Sequence, residues 1–286
     1  MGIFKKPSLK VFGGGKKKDM PEGLWINCPS CGAMLHQLEL DENLKVCHKC
    51  LHHFTLTAEE RIKSVADQGS FQEIDVKLET TDPLGFLDYG EKVKTYQQRT
   101  GLKDAMVTGR ASISGHPVLV GAMDFRFLGA SMGSVVGEKI TRAIEIATKE
   151  RKPVILFSAS GGARMHEGIL SLMQMGKTSA ALARHHAARL PYISVLTHPT
   201  TGGVTASFAT LGDIIMAEPK CMIGFAGPRV IKETTHQNLP TGFQTAEFMM
   251  DHGLVDMIVE RKDIRNRLSE ILDYLSPAPT GQGRQR

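Results

Sequence analysis

Four of the five cysteines fall in one short window, Cys28-Pro-Ser-Cys31 and Cys47-His-Lys-Cys50, with fifteen residues between the pairs. Two such knuckles suit a tetrahedral zinc site: each turn sets two thiolates on one side, and the intervening segment forms a small β-ribbon that brings the turns face to face. Four thiolates fill the shell, so the metal is structural rather than catalytic. Lys45 and Lys49 lie close enough to offset its negative charge. With four cysteines available, His36, His48, His52 and His53 read as surface residues. Two disulfides are the alternative, disfavoured because the rest of the chain reads as a cytosolic enzyme with no secretory signal. The fifth cysteine, Cys221, sits in an apolar segment and reads as core.

A second constellation consists of backbone rather than side chains. Gly161-Gly162 and Gly202-Gly203 each sit between a predicted strand and a predicted helix. Glycine permits a sharp turn and lets a ligand approach the peptide N–H groups, and the helix that follows adds unpaired amides and the positive end of its dipole. Such a pair is an oxyanion or phosphate site. It is equally the ordinary punctuation of a strand-to-helix turn, but two equivalent pairs after successive strands would open on the same edge of a sheet. No serine stands in a G-x-S-x-G elbow, and no paired carboxylates flank the loops. His166 and His198 are near the glycines and read either as acid–base groups or as plain loop residues. Catalysis by backbone dipoles is the more economical reading.

The elements that must position these loops follow from the pattern. Thr57-Ala-Glu-Glu60 is a capping box opening a helix. Ala105–Ile113 and Val118–Phe125 read as strands around a Ser114–Pro117 turn. A glycine-rich turn, Leu128–Gly133, leads into a helix whose apolar face is Val136, Ile140, Ala143 and Ala147. Strand Val154–Phe157, helix Ile169–Arg189, strand Tyr192–Leu196 and a short helix from Val204 follow. Short strands at Asp213–Ala217, Cys221–Phe225 and Leu254–Val259 precede a terminal helix holding Ile264, Leu268, Ile271 and Leu275. The stretch Phe71–Gly101 carries turn signals and little else. Alternating β and α elements predict an α/β fold with largely parallel pairing. Neither a Rossmann fingerprint nor a Walker A motif is present, so nothing supports ATP binding by this chain.

Hydrophobic residues make up 41% and charged residues 23%, ordinary for a globular protein. No apolar run is long enough to cross a bilayer. Part of the net charge of +5 comes from six lysines among residues 5–18. The expected organisation is a flexible basic tail (1–24), a zinc ribbon (25–54), a catalytic domain (55–276) and a loose tail (277–286), in the cytoplasm.

Ser158-Ala-Ser-Gly-Gly-Ala-Arg-Met165, Pro191–Thr197, Pro199-Thr-Thr-Gly-Gly-Val204 and Ile223-Gly-Phe-Ala-Gly-Pro-Arg-Val-Ile231 resemble the β-subunit family of bacterial-type acetyl-CoA carboxylase carboxyltransferases. The resemblance runs from about Glu22 to Ile271 and includes the ribbon. One departure is Ala130, where the family's turn has glycine. The resemblance implies a crotonase-like fold, ββα units wound into a superhelix behind the ribbon. It implies transfer of a carboxylate from biotin, carried on a separate biotin carboxyl carrier protein, to acetyl-CoA, giving malonyl-CoA for fatty acid synthesis. It implies a partner α subunit in an α2β2 arrangement, and a biotin carboxylase that uses the ATP. It places a backbone oxyanion hole at Gly202 and Gly203 and a CoA-side loop at Gly161, Gly162, Ala163 and Arg164. Two alternatives remain: a carboxyltransferase or decarboxylase for another acyl-CoA, and a zinc-ribbon nucleic-acid-binding protein. The ribbon favours the acetyl-CoA family. Aromatics at 6% of the chain leave few stacking platforms for nucleic acid, which stays a secondary role.

Overall fold

The computed structural model describes residues 24–236 and 238–275. The predicted tails, apart from Leu24, lie outside the described residues. β1 (Trp25–Asn27) and β2 (Met34–His36) pair antiparallel, with Trp25 opposite His36, and α1 (Gln37–Glu42) follows. Leu35, Leu40, Cys28 and Cys47 form the small interior of this ribbon.

α2 (Ala58–Val65) opens on the expected capping box: the Glu60 amide donates to Thr57 Oγ1 at 3.1 Å and the Thr57 amide to Glu60 Oε2 at 2.8 Å. The uninformative stretch after it contains β3 (Gln72–Ile74) and α3 (Tyr89–Thr100). β3 is too short to show a period, and α3 buries only Tyr89 and Val93, so neither leaves a readable apolar stripe. β4 (Met106–Ile113) and β5 (His116–Met123) form a hairpin on Ser114-Gly115, both at positive φ. α4 (Ser134–Glu150), β6 (Val154–Ser160), α5 (Gly168–Ala187), β7 (Tyr192–Thr201) and α6 (Gly202–Thr205) follow. Then come β8 (Ile214–Ala217), β9 (Ile223–Gly224), α7 (Pro228–Thr235), α8 (Ala246–Asp251), β10 (Met257–Ile258) and α9 (Ile264–Leu275).

One sheet runs β10-β8-β7-β6-β5-β4-β3, with β9 paired to the far end of β7. From β5 through β6, β7 and β8 to β10 the pairing is parallel; β3, β4 and β5 are antiparallel. Alternating residues separate two cores. Leu119, Leu156 and Leu196 face α4 and α5 with Val136 and Ile140. Val120, Ile155 and Val195 face α2 and α9 with Ile62, Leu268 and Leu272. A sheet covered on both faces explains why β6 is buried throughout and reads as an uninterrupted apolar run.

The main departure from expectation is β7, which extends past Leu196 to Thr201. Its second half pairs not with β8 but with β9, Thr200 opposite Ile223 and Thr201 opposite Gly224. That partner change carries strand geometry up to the second glycine pair. β9 and β10 are correspondingly shorter than their apolar runs. Among the described residues no helix is long and apolar enough to cross a membrane.

Candidate functional site

The four cysteine Sγ atoms lie within 4.8 Å of one another, with Cys28–Cys50 at 3.6 Å and Cys31–Cys47 at 3.9 Å. Zn–S bonds of about 2.3 Å in a tetrahedron require S···S edges of about 3.8 Å, so the quartet fits zinc. The close pairs run between knuckles, and all five cysteines are free thiols, which removes the disulfide alternative. The histidines take no part in the cluster.

The two glycine pairs end the parallel neighbours β6 and β7 and so open on one edge of the sheet. They touch: a Cβ at Gly202 would stand 2.9 Å from Gly162 Cα, and one at Gly162 would stand 3.2 Å from Gly202 Cα. Both residues hold positive φ, 111° and 64°, so only glycine fits there. The amides are not equivalent. Gly161 donates to Gly129 O at 2.9 Å, Gly162 to Ser160 Oγ at 3.0 Å and Gly202 to Phe225 O at 3.0 Å. Ala163 and Gly203 have no acceptor for their N–H groups among the described residues. These two residues are neighbours, since a Cβ on Gly203 would stand 3.6 Å from that of Ala163. Of the anticipated donors, Gly203 is thus available and Gly202 is committed to holding the loop. Two unpaired amides where two loops meet can stabilise one developing oxyanion.

Arg164 is placed differently from a ligand-contacting residue. Its side chain is fully buried and forks onto Asp104, Nη1 to Oδ2 at 2.8 Å and Nη2 to Oδ1 at 2.7 Å, while Nη2 also donates to Ser131 O. Burial would lower its pKa, but Asp104 outweighs burial and raises it. The guanidinium is therefore unavailable to a substrate, and its task is positional. Beside it, Glu167 accepts from Tyr89 Oη at 2.7 Å and from the Ser134 amide at 2.6 Å, capping α4. Burial acts to raise the Glu167 pKa, yet Tyr89 and the Ser134 amide hold it below the usual range. Sequence reading missed Asp104, Tyr89 and Glu167, because isolated residues in weak elements carry no local motif. The histidines are also occupied: His166 stacks on Tyr89 at 5.0 Å, and His198 Nδ1 accepts from the Met222 amide at 3.2 Å.

The turn before α4 braces this loop. Leu128, Gly129 and Ala130 all hold positive φ, 47°, 63° and 45°. This left-handed turn aims Gly129 O at the Gly161 amide and Ala130 O at Ser160 Oγ, 2.6 Å away. Ala130 is strained there by about 1–2 kcal/mol. Ala130→Gly removes the strain but forfeits a buried methyl worth about 0.8 kcal/mol and adds about 0.5–1 kcal/mol of backbone entropy. Its expected stability lies within about 1 kcal/mol of the parent. Ala143→Gly, equally buried but unstrained inside α4, should cost about 1.5–2 kcal/mol. Urea unfolding of the pair checks this; equal losses would mean that the turn is unstrained.

Residues 54–286, which include the doubly covered sheet with its paired glycine loops, match the carboxyl transferase domain family, which makes this a crotonase-fold carboxyltransferase. Residues 25–50 match the acetyl-CoA carboxylase zinc finger domain. The acetyl-coenzyme A carboxylase carboxyl transferase subunit beta of Desulforamulus reducens is 57% identical over 278 residues, covering 94% of this chain and 96% of its own. That of Methylacidiphilum infernorum is 53% identical over 277 residues, 96% of this chain and 100% of its own. The chain belongs to this family of acetyl-CoA carboxylase carboxyl transferase β subunits. Among solved structures, transcarboxylase 12S with hydrolysed methylmalonyl-coenzyme A superposes at TM-score 0.68 and 26% identity, over 82% of this chain and 42% of that one. A Pseudomonas malonate decarboxylase hetero-tetramer with malonate shares the fold at TM-score 0.62 and 23% identity, over 78% of this chain and 84% of that one.

Proposed function

We propose that this chain transfers a carboxylate from carboxybiotin to acetyl-CoA, giving malonyl-CoA. The observation that carries the reading is the pair of unpaired amides, Ala163 and Gly203, at a site whose side chains are already committed. In the reaction the biotin N–carboxylate bond breaks and leaves its electron pair on the ureido group. The ureido anion takes a methyl proton from acetyl-CoA, and the resulting enolate carbon attacks the freed carboxyl carbon. Gly203 and Ala163 hold the thioester oxygen as the enolate charge develops, so no dedicated side-chain base is needed. The Gly161–Arg164 loop is the CoA side, positioned rather than contacted through Arg164.

Two anions form and this chain supplies one hole, so the second belongs to an α subunit in an α2β2 assembly. A carrier protein brings the biotin, and a biotin carboxylase spends the ATP. The face for the α subunit lies beside the loops: Met165 in the turn before α5, Ile169, Leu172 and Met173 at its start, and Phe86 and Leu87 are all exposed. Four thiolates held for a metal and a free Cys221 suit the reducing cytoplasm. Reconstitution with a cognate α subunit, carboxybiotin and acetyl-CoA tests the reading. Malonyl-CoA should form with both chains and not with this chain alone; full turnover by the pure single chain would refute the shared site.

A further inference from the structure

Three stretches far apart in the sequence meet at one buried carboxylate. Glu218, just past β8, is 1% exposed. Arg61 of α2 reaches its Oε1 at 2.6 Å. Arg261, from the turn before α9, forks onto it, Nε to Oε1 at 2.7 Å and Nη2 to Oε2 at 2.8 Å. His53, from the end of the ribbon, brings Nδ1 within 3.5 Å of Oε2. The last nitrogen of Arg261, Nη1, points the other way and donates to the ribbon carbonyl of Leu44 at 2.8 Å, with that of Lys45 at 3.4 Å. One guanidinium therefore joins the ribbon backbone to the catalytic core. The cavity between them, bordered by His53, His198, Glu218 and Arg261, measures about 10 Å³, room for a single water.

From Glu218 a run of backbone hydrogen bonds leads to the catalytic loop. The Glu218 amide donates to Leu196 O at 3.0 Å and its carbonyl accepts from Cys221 at 3.3 Å. Met222 O accepts from Thr200 at 2.8 Å, and Ile223 and Gly224 pair with Thr200 and Thr201. Phe225 O then accepts the Gly202 amide at 3.0 Å, the bond that commits Gly202 and anchors the residue next to the unpaired Gly203. Residues 218–225 thus run from the ribbon latch to the loop that offers the oxyanion donor. A buried Arg–Glu–Arg cluster is a weak source of stability compared with apolar packing of the same volume, and in some proteins buried polar groups serve instead to fix one arrangement.

We infer that Arg261 and Glu218 are positioning residues for carboxyl transfer, coupling the folded, metal-filled ribbon to the geometry of the Gly202–Gly203 loop. This rests on the reading of Gly203 as an oxyanion donor. Lysine at 261 keeps a charge for Glu218, but a single ammonium cannot fork the carboxylate and reach Leu44 O together.

The test uses the full chain with its α subunit, as parent and as Arg261→Lys, each with zinc and after chelation. Hydrogen exchange is followed at residues 198–204, alongside zinc content, kcat and KM for acetyl-CoA. In the zinc-loaded variant the metal content should be unchanged, exchange at 198–204 about tenfold faster and kcat about tenfold lower, with KM for acetyl-CoA within about twofold. Chelation of the parent should quicken the same amides by a similar factor, and chelation of the variant should add little. Exchange that ignores both changes, or responds to each additively, overturns the coupling. Coupled exchange with unaltered kcat leaves only a structural latch and overturns the positioning role, whereas failure of Gly203 as a donor is read separately, from a folded Gly203→Pro with near-normal kcat. Should the variant fail to retain zinc, the parent with and without metal decides alone.

Discussion

Gly203→Pro should lower turnover by about a hundredfold to a thousandfold, the usual loss when one oxyanion donor is removed. Proline deletes the N–H and nothing else that could do chemistry. Position 203 lies in the first turn of α6, where a missing amide costs the helix no hydrogen bond. The confounding effect is steric, since a Cβ at 203 would stand 2.9 Å from Met175 Sδ. Gly203→Ala isolates it: alanine keeps the amide and pushes the same flexible side chain, so its turnover should stay within about tenfold of the parent. His198→Ala is the second control. Its ring accepts one backbone N–H and is not asked to move a proton, so its loss should also be small. The affinity for acetyl-CoA should fall less than kcat in Gly203→Pro, because the hole matters most once charge has developed. Far-ultraviolet circular dichroism and unfolding establish first that the variant is folded. Near-normal turnover in a folded Gly203→Pro, or a dead His198→Ala, would show that the chemistry belongs to other groups.

How much of this was legible in the sequence depends on whether the information is local. The cysteine spacing, the capping box at Thr57–Glu60 and the two glycine pairs are written in neighbouring residues, and the structure places them as read. The apolar stripe of α4 and the buried run of β6 are equally local. What escaped is long-range. Asp104, Tyr89 and Glu167 lie far apart in sequence from one another or from the loop they brace, and each reads alone as an ordinary polar residue. Arg164 stands inside a legible motif, yet its partner is sixty residues away, so its side chain looked like a ligand contact when it is a buried brace. The division of labour between Gly202 and Gly203 was hidden for the same reason: it is set by Phe225 O, through a strand that leaves β8 for β9. Glu218, with arginines from both ends of the domain, lies at the far limit of what pattern reading can reach.

Cys47→Ala should abolish zinc binding, from about one ion per chain to none, and unfold the ribbon while leaving the large sheet intact. The ribbon's interior is only Leu35, Leu40 and two of the cysteines, with a few partly covered neighbours. A module of some thirty residues with so small a core does not hold its shape unaided; structural zinc supplies about 10–16 kcal/mol in comparable modules. Cys47 is the most demanding position, being fully buried with its carbonyl turned back to the Leu51 amide in the second knuckle. Alanine there removes a ligand and leaves three thiolates around a cation that needs four. The sheet has its own two cores, so its fold outlasts the metal, and what chelation loosens is local, at the end of β7 and the Gly202–Gly203 loop. The single tryptophan, Trp25, lies in β1 with its ring edge-on to His36 at 5.0 Å, so its fluorescence reports the ribbon alone. Trp25 is already half exposed, so the readout is its mobility: in Cys47→Ala, and in the parent after chelation, its fluorescence anisotropy should fall while the main unfolding transition persists. Full zinc occupancy in Cys47→Ala, or intact Cys28–Cys31 or Cys47–Cys50 disulfides in the metal-free parent, would rule out the four-thiolate site. Collapse of the whole chain on chelation would instead make the ribbon part of one cooperative core, contrary to the separate hydrophobic clusters seen here.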